Sequence, residues 1–415
     1  MSIPNLEYPW RTSVADILNA GAARSVIVKG NVDDLFWLPP KLSGTPEGSY
    51  VSILDHLRAH WERAQHTILV TYTPGGPVRF ACEEDRELVR EDWLEGADAF
   101  DADFLSAVGK PAVALTLMTQ ACKLAREAGE DAALRGKRFI FLIERADTIV
   151  PEGPITSLNE ADRHRVMICQ SWLCDPAFLR GNDGVVFLTE SAAQVNSRLV
   201  KLPQVLQVAV PPPDEKARAH FIAWFNRCQK RGRKIKLAGT QSELVQFTAG
   251  LTIHALRQLL MANVYSAQTL DPSHVFKRVE DYIESQVGEG VVRFKRPTHT
   301  RKDLVGVGNL LRYLDAKIIP RLRAGGSRAL SGFVVGGPIG GGKTYTFEAI
   351  AAEVDMVVLE LRNLRSKWFG ETDIILERLY RVLCSLSKVM VFVDEADTVF
   401  GGLGADVHET EKRLT

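Results

Sequence analysis

The chain has 415 residues, which is enough for about two or three domains. Apolar residues make up 46% of it and charged residues 25%, as in ordinary globular proteins. Its 51 Lys and Arg residues balance 51 Asp and Glu residues, so the net charge gives no general attraction to nucleic acid or to an anionic membrane. We find neither a long apolar run nor a signal-peptide pattern, and the six cysteines lack zinc-site spacing; these features predict a cytoplasmic protein with reduced thiols and no membrane partner.

Strand and helix patterns alternate along residues 1–213. Predicted strands cover 24–30, 66–72, 138–147, 183–191 and 205–213, and predicted amphipathic helices between them cover 50–64 and 111–129. This order predicts a mainly parallel sheet with right-handed crossovers and helices on both faces. Four helical patterns follow the prolines at 211–213 and predict an all-α lid over 214–286.

Residues 287–302 are basic, contain glycine and show no periodicity, so we interpret them as a linker. The alternation resumes over 303–415, with predicted strands at 331–337, 356–362 and 389–397. Helical patterns begin at Lys343 and cover 373–386. Both parts are therefore predicted to belong to the α/β class, with parallel sheets that have helices on both faces.

The two parts resemble an internal repeat. The segment FLIERAD (141–147) overlays VFVDEAD (391–397), which places Glu144 opposite Asp394 and Arg145 opposite Glu395. A chance similarity of two buried strands is the alternative interpretation.

A glycine-rich segment at 337–344 fits the pattern G-x-x-x-x-G-K-[ST] between a predicted strand and a predicted helix. Glycines let successive backbone N–H groups surround a phosphate, and the helix N-terminus adds the positive end of a dipole. In this pattern Lys343 reaches the β- and γ-phosphates of ATP, and the hydroxyl of Thr344 holds Mg²⁺. The alternative is a glycine-rich turn with an incidental lysine. The expected nucleotide contacts are Gly337, Pro338, Ile339, Gly340, Gly341, Gly342, Lys343, Thr344 and Tyr345.

Two acidic residues follow the last predicted strand. Asp394 is expected to support Mg²⁺, and Glu395 to polarise the attacking water as a general base. With Lys343, Glu395 completes the predicted catalytic pair. A solvent-facing acidic cap on a strand is the alternative.

These motifs resemble those of the AAA+ ATPases, and of the AAA clade within them, over residues 303–415. The resemblance implies parallel sheets of the P-loop NTPase type. The segment SKWFGETD is similar to the first pore loop of AAA unfoldases, with Trp368, Phe369 and Gly370 as its aromatic, hydrophobic and glycine positions. The resemblance implies a hexameric ring whose central channel grips an extended polypeptide; a buried anchor or a partner contact is the alternative for Trp368. Residues 303–314 resemble the segment that contacts adenine, which assigns Val305 and Gly306 to the base, although Val305 stands where the family usually has glycine.

Residues 1–286 resemble a degenerate AAA module with its lid. No GK[ST] follows the strand at 24–30, where NVDDLFWLPPKLSG stands, and Arg145 replaces the water-activating glutamate. We therefore expect this module neither to bind phosphates nor to hydrolyse them. Arg198 and Lys201 have about the spacing of the family's arginine-finger pair.

In the AAA family, the sensor-1 strand, the arginine fingers and the second lid follow the position of Glu395, whereas this sequence ends at Thr415. An arginine finger contributes about 10³–10⁵ in rate in related P-loop enzymes. The chain alone is therefore expected to bind ATP weakly and to hydrolyse it slowly.

The leading hypothesis is a Mg²⁺-dependent ATPase that forms a ring and remodels or threads protein substrates. A nucleotide-regulated assembly module with little turnover is the second hypothesis. A nucleic-acid motor or loader is the third; its contact would be the basic segment 229–236, but the zero net charge and the lack of interleaved aromatic residues disfavour it.

Overall fold

The computed structural model describes most of the chain and divides it into two compact units, unit 1 (Met1–Asp271) and unit 2 (Pro272–Thr415). The described residues are 6–62, 64–93, 96–127, 129, 132, 134–229, 234–266, 269–287, 292–295, 299–323, 330, 332–338, 340–354, 357–361, 377–380, 382–383, 386 and 389–393. Within these ranges, no helix combines the length and the apolar content needed to cross a membrane.

Unit 1 alternates strands and helices, as the sequence predicts. Its strands are β1 (Ser25–Gly30), β2 (Phe36–Leu38), β3 (Ser49–Val51), β4 (Thr67–Tyr72), β5 (Val78–Phe80), β6 (Arg138–Ile143), β7 (Gly184–Thr189) and β8 (Val205–Val210). Its helices are α1 (Pro9–Ala20), α2 (Pro40–Ser43), α3 (Ile53–Trp61), α4 (Glu83–Glu91), α5 (Ala97–Ser106), α6 (Pro111–Glu127), α7 (Ala146–Ile149), α8 (Glu160–Cys174), α9 (Pro176–Arg180), α10 (Ser197–Val200), α11 (Glu215–Cys228), α12 (Gln241–Phe247) and α13 (Ile253–Ser266).

Six strands of unit 1 form one sheet in the order β5-β4-β6-β7-β1-β8. The pairs are parallel except for β5, which runs antiparallel to β4. Strand β1 lies between β7 and β8, so its carboxyl end shares one edge of the sheet with the ends of β6, β7 and β8. This edge is where ligands bind in open α/β sheets.

Helices cover both faces of this sheet, which confirms the predicted α/β class. In β6, Phe139, Phe141 and Ile143 belong to one apolar core, with α6 and α8. The intervening Ile140 and Leu142 belong to a second core, with α1 and α3. Because successive side chains of a strand point to opposite faces, a continuous apolar strand of this kind requires cover on both sides.

Unit 2 contains a smaller sheet. Its elements are α14 (Pro272–Val287), β9 (Val292–Lys295), α15 (Gly308–Tyr313), a π-helical turn (Leu314–Ile318), α16 (Ile319–Arg323), α17 (Lys343–Glu353), β10 (Val357–Leu361) and β11 (Val389–Val393). The strand order is β11-β10-β9, with β11 parallel and β9 antiparallel to β10. The order β6-β4-β5 in unit 1 has the same directions, but β5 follows β4 in the chain whereas β9 precedes β10, so the two antiparallel edge strands do not correspond in sequence.

The structure differs from the predicted domain boundaries around residue 272. The last helix of the predicted lid, α14, belongs to unit 2, where it packs against β9. The predicted linker 287–302 contains β9, because Val292-Arg293-Phe294-Lys295 alternates apolar and basic residues as an edge strand does.

The predicted strand at 331–337 is a second difference. Residues 332–338 do not form a strand, and the side chain of Val334 is 94% exposed. A strand needs neighbours that supply ladder hydrogen bonds. In unit 1 the corresponding strand β1 has β7 and β8 on its two sides, and both follow β6 in the chain. The described part of unit 2 has no strand after β11.

A buried histidine lies in the core between α1 and α3. The ring of His56 is 1% exposed, and its centroid lies 5.2 Å from that of Tyr8 and 6.0 Å from that of Trp10. Burial, with smaller contributions from the nearby His60 and Arg11, lowers the pKa of His56 from 6.5 to about 3. The folded chain therefore holds this imidazole neutral.

Acid is expected to destabilise unit 1 through His56. Below pH 6.5 the unfolded chain gains a proton at this residue that the folded chain does not gain until its pKa of about 3. The free energy of unfolding should fall by about 3 kcal/mol between pH 6.5 and pH 4. Urea unfolding of His56→Phe should lose this part of the pH dependence, whereas His164→Gln, at an exposed histidine of α8, should retain it. An equal slope in the wild type and His56→Phe would contradict the assignment.

Candidate functional site

The glycine-rich loop leads directly into α17. Gly340 and Gly342 both have φ +76°, a left-handed conformation that glycine adopts without steric cost. Gly342 is the N-cap residue of α17. The first amides of a helix have no intrahelical acceptor, so the start of α17 presents N–H groups and the positive end of the helix dipole to the loop. This arrangement can bind an anion.

The side chain of Lys343 lies back across the loop. Its Nζ donates to the carbonyl oxygens of Gly337 at 3.0 Å and Pro338 at 3.1 Å. The amide of Gly341 also donates to the carbonyl of Pro338, at 3.1 Å. The ammonium group thus closes the loop on itself, and an anion in the loop would compete with these carbonyls for it.

Apolar packing fixes the position of α17 on the sheet of unit 2. Phe347, Ile350 and Ala351 belong to one apolar core with Val358 of β10 and Met390 of β11. The ring of Phe347 also lies 4.4 Å, centroid to centroid, from that of Phe392 near the end of β11. The carboxyl end of β11 therefore lies beside the early part of α17, which agrees with the expected proximity of the acidic pair to the loop.

A cluster of one histidine, one tyrosine and one glutamate lies next to the loop. Of its members only Tyr345 was predicted from the sequence; His299 and Glu348 were not. Tyr345 is 51% exposed, and the ring of His299 stacks on it at 3.8 Å with an interplanar angle of 24°. His299 Nδ1 lies 2.6 Å from an Oε2 atom of Glu348, which is only 2% exposed. The signal in the sequence was Glu348 itself, because an acid among the apolar residues of an amphipathic helix needs a partner.

A cleft of about 230 Å³ lies between α17 and the segment that precedes the loop. Arg301 and Asp315 form an ion pair at its edge, and this hydrogen bonding lowers the pKa of Asp315. The predicted base contacts lie just outside the lining: Val305 is 87% exposed, and Gly306 has φ +82°. The cleft is lined by Arg301, Leu304, Leu311, Leu314, Asp315, Ile319, Ala349, Ile350 and Glu353.

Part of the predicted site lies outside the described residues. This holds for Ile339, Asp394, Glu395, Trp368, Phe369 and Gly370, and their roles stay predictions. The two cations considered as fingers in unit 1 are both exposed: Arg198 is the second residue of α10, and Lys201 follows its last residue.

Comparisons with known proteins give a family match for each of the two parts of the chain. Residues 8–211 match the family model of the AAA+ chaperone N-terminal Rossmann-like domain. Residues 333–415 match the model of the ATPase family associated with various cellular activities, AAA. The two matches cover about two thirds of the sequence.

Individual relatives are distant. The chain is similar to a cell division cycle protein 48 homolog of Archaeoglobus fulgidus, with 24% identity over 76% of this chain and 46% of that protein. It is also similar to the Arabidopsis thaliana protein suppressor of K(+) transport growth defect 1, with 27% identity over 32% of each chain. Vacuolar protein sorting-associated protein 4B of Mus musculus is 25% identical over 30% of each chain. The chain thus spans about half or less of the length of these relatives.

The cluster beside the loop predicts unequal effects of two substitutions. His299→Ala removes both the ring stack and the hydrogen bond of buried Glu348, and should lower the local stability of α17 by about 1–3 kcal/mol. Tyr345→Ala removes only the stack at an exposed ring and should cost about 0.5–1.5 kcal/mol at most. Amide hydrogen exchange of α17 in the full chain measures both, and equal effects would show that the Glu348 bond contributes nothing.

Proposed function

Since this chain belongs to the AAA+ ATPases, we propose that unit 2 binds ATP together with Mg²⁺ and hydrolyses the nucleotide. The observation that carries the proposal is the loop of residues 337–344 at the N-terminus of α17. Its left-handed glycines Gly340 and Gly342 and the adjacent ammonium of Lys343 form the arrangement that phosphate chemistry requires.

Each residue of the loop has a defined role in this proposal. The amides at the start of α17 donate to phosphate oxygens, and Lys343 exchanges the carbonyls of Gly337 and Pro338 for the β- and γ-phosphates. A charge-assisted hydrogen bond to phosphate is stronger than one to a neutral carbonyl, so the exchange favours binding. Glu395 orients the attacking water and accepts its proton.

The hydroxyl of Thr344 and the carboxylate of Asp394 would hold Mg²⁺. Both supply oxygen ligands, which this cation prefers, and Thr344 lies in the first turn of α17. When bound, the cation neutralises charge that develops on the phosphates. The Phe347–Phe392 contact holds the described end of β11 beside α17, and Asp394 is the next residue in the sequence after Val393, the last residue of β11; both facts support this division of roles.

Removing the loop cation should weaken ATP binding. Lys343→Ala is expected to lower the affinity about 10- to 100-fold, because a hydrogen bond from a charged donor contributes about 1.5–3 kcal/mol. Isothermal titration of the full chain with Mg²⁺ and ATP measures the change. Lys317→Ala is the matched control, since that lysine is exposed in the π-helical turn. Wild-type affinity in Lys343→Ala would refute the phosphate-binding role.

Turnover and binding should separate at Glu395. Glu395→Gln is expected to bind ATP as the wild type does and to lower steady-state hydrolysis about 10²- to 10⁴-fold. Glu284→Gln, in α14, controls for the loss of one carboxylate. The second hypothesis, a nucleotide-regulated assembly module, predicts instead negligible turnover in the wild type and ATP-dependent sedimentation that Glu395→Gln leaves unchanged.

We further propose that the complete protein acts as a hexameric ring on polypeptide substrates. The support is the resemblance of Trp368, Phe369 and Gly370 to a pore loop, together with the chaperone description of the family that residues 8–211 match. An aromatic side chain can contact any unfolded chain through apolar packing, so it gives grip without sequence preference.

The pore-loop role predicts a selective defect. In the assembled protein, Trp368→Ala should abolish the stimulation of ATP hydrolysis by a chemically unfolded polypeptide and leave ATP affinity unchanged. Tyr265→Ala, at a tyrosine that is 95% exposed on α13, is the aromatic control. Full stimulation of Trp368→Ala would exclude the threading mechanism.

A further inference from the structure

Unit 1 has a site that corresponds by topology to the phosphate loop of unit 2. Strand β1 ends at Gly30, and the segment 31–35 follows it at the carboxyl edge of the sheet. Strand β6 ends at Ile143, and Glu144 and Arg145 follow it at the same edge. In the internal repeat these are the places of the phosphate loop and of the Asp394–Glu395 pair.

Two charges at this edge are reversed relative to unit 2, whereas Glu144 keeps the sign of Asp394. Arg145 donates through Nη1 to Asp33 Oδ2 at 3.0 Å, and its Nη2 lies 2.9 Å from Asp33 Oδ1. An acid thus stands in the loop position and a cation stands where unit 2 has Glu395. Arg145 has φ +53°, which is unusual for a residue other than glycine and directs its side chain across the edge.

The neighbouring carboxylate, Asp34, is attached to the lid. It is 3% exposed and accepts hydrogen bonds from the backbone amides of Ile253 at 3.0 Å and His254 at 2.8 Å. These two residues begin α13, a helix of 14 residues. Asn31 Nδ2 donates to the same carboxylate at 2.8 Å. The segment after β1 therefore supplies a carboxyl acceptor to the N-terminus of a lid helix, where the backbone amides need one. Burial raises the pKa of Asp34, and the hydrogen bonds from Asn31, Ile253 and His254 oppose that rise.

The antiparallel pair β2–β3 attaches a second lid helix, α11. The ring centroid of Trp37 lies 4.6 Å from that of His220, and the hydroxyl of Tyr50 lies 2.6 Å from His220 Nδ1. Trp224 Nε1 donates to the carbonyl of Gly48 at 3.4 Å. A Cβ atom on Gly48 would lie 2.2 Å from the ring of Trp37, so only glycine allows this approach. In unit 2 the loop passes directly into α17 without such a pair.

We propose that unit 1 is a self-liganded module, in which Asp34 occupies the anion position at the N-terminus of α13 and the β2–β3 pair holds α11. The lid helices are then fixed on the sheet in the absence of nucleotide. A nucleotide phosphate at this edge would meet the carboxylates of Asp33 and Asp34 and would have to displace Asp34 from α13. The lid helices of unit 1 consequently stay in one position whatever nucleotide is bound to unit 2. The chain as a whole binds one ATP.

Hydrogen exchange of the full chain tests the lock directly. In Asp34→Ala, the amides of Ile253 and His254 lose their acceptor, and exchange in the first turn of α13 should rise about 5- to 150-fold, since a lost hydrogen bond of this kind contributes about 1–3 kcal/mol. Asp33→Ala, which removes the adjacent exposed carboxylate, should leave α13 unchanged. Asp34→Asn keeps the size of the side chain but has one acceptor oxygen instead of two. It should raise exchange in α13 to a smaller degree, and it serves as the test if Asp34→Ala does not fold. Unchanged exchange of α13 in both Asp34 variants would overturn the proposal.

Addition of ATP and Mg²⁺ to the wild type gives a second and independent readout. Protection of α13 and of residues 31–37 should stay the same, and isothermal titration should give no more than one ATP per chain. Protection of these segments by ATP, or a second bound ATP that persists in Lys343→Ala, would also overturn the proposal. If ATP does not bind and does not protect α17 from exchange, the function proposed for unit 2 is wrong. That outcome would not affect the conclusion drawn from the Asp34 variants.

Discussion

The start of a helix has amides without intrahelical acceptors, and both units place such a start at a site where an anion is required. In unit 2 it is α17, whose first amides follow the left-handed Gly342. In unit 1 it is α13, whose first amides donate to Asp34. The same physical requirement is met by a side chain in one unit and, in the proposed function, by nucleotide in the other.

In the proposed functions, this difference decides whether a nucleotide phosphate can replace the existing contacts of each unit. The ammonium of Lys343 is held by two neutral carbonyls, which a phosphate can replace with a net gain in electrostatic energy. Asp34 is an acceptor that is already buried, and its removal from α13 would leave amides unpaired and a carboxyl group in an apolar setting. The loop of unit 2 can therefore exchange its internal contacts for a phosphate, whereas the segment after β1 in unit 1 is already occupied by its own Asp34.

Much of the fold can be predicted from the sequence because the patterns that predict it are local. The continuous apolar run within Arg138–Ile143 specifies a strand covered on both faces, and the structure places its residues in two cores as expected. The loop chemistry at 337–344 is likewise a local pattern. The strand predicted at 331–337 fails because strand formation depends on neighbours, and a period of two at 292–295 is too short to distinguish an edge strand from a linker.

The candidate sites depend on partners that are distant in the chain. His299 lies 49 residues from Glu348, and Asp34 lies 219 residues from Ile253. A single sequence does not show which residues form such pairs. It indicates only that a buried acid needs a hydrogen-bond donor. The sequence could therefore identify unit 1 as lacking a phosphate loop, but not that an aspartate of the replacing segment caps a lid helix.

The relative strength of the two acidic contacts in unit 1 identifies the one that holds the lid. The Asp33–Arg145 pair is about half exposed on both sides, and ion pairs of that kind contribute roughly 0–1 kcal/mol. It also joins two segments of the same sheet edge and does not reach the lid. Asp34 is buried and joins the sheet edge to α13, so its loss leaves backbone donors without partners. The reversed charges at the edge are thus the more visible feature in the sequence, but the buried carboxylate beside them is the contact on which the position of α13 depends.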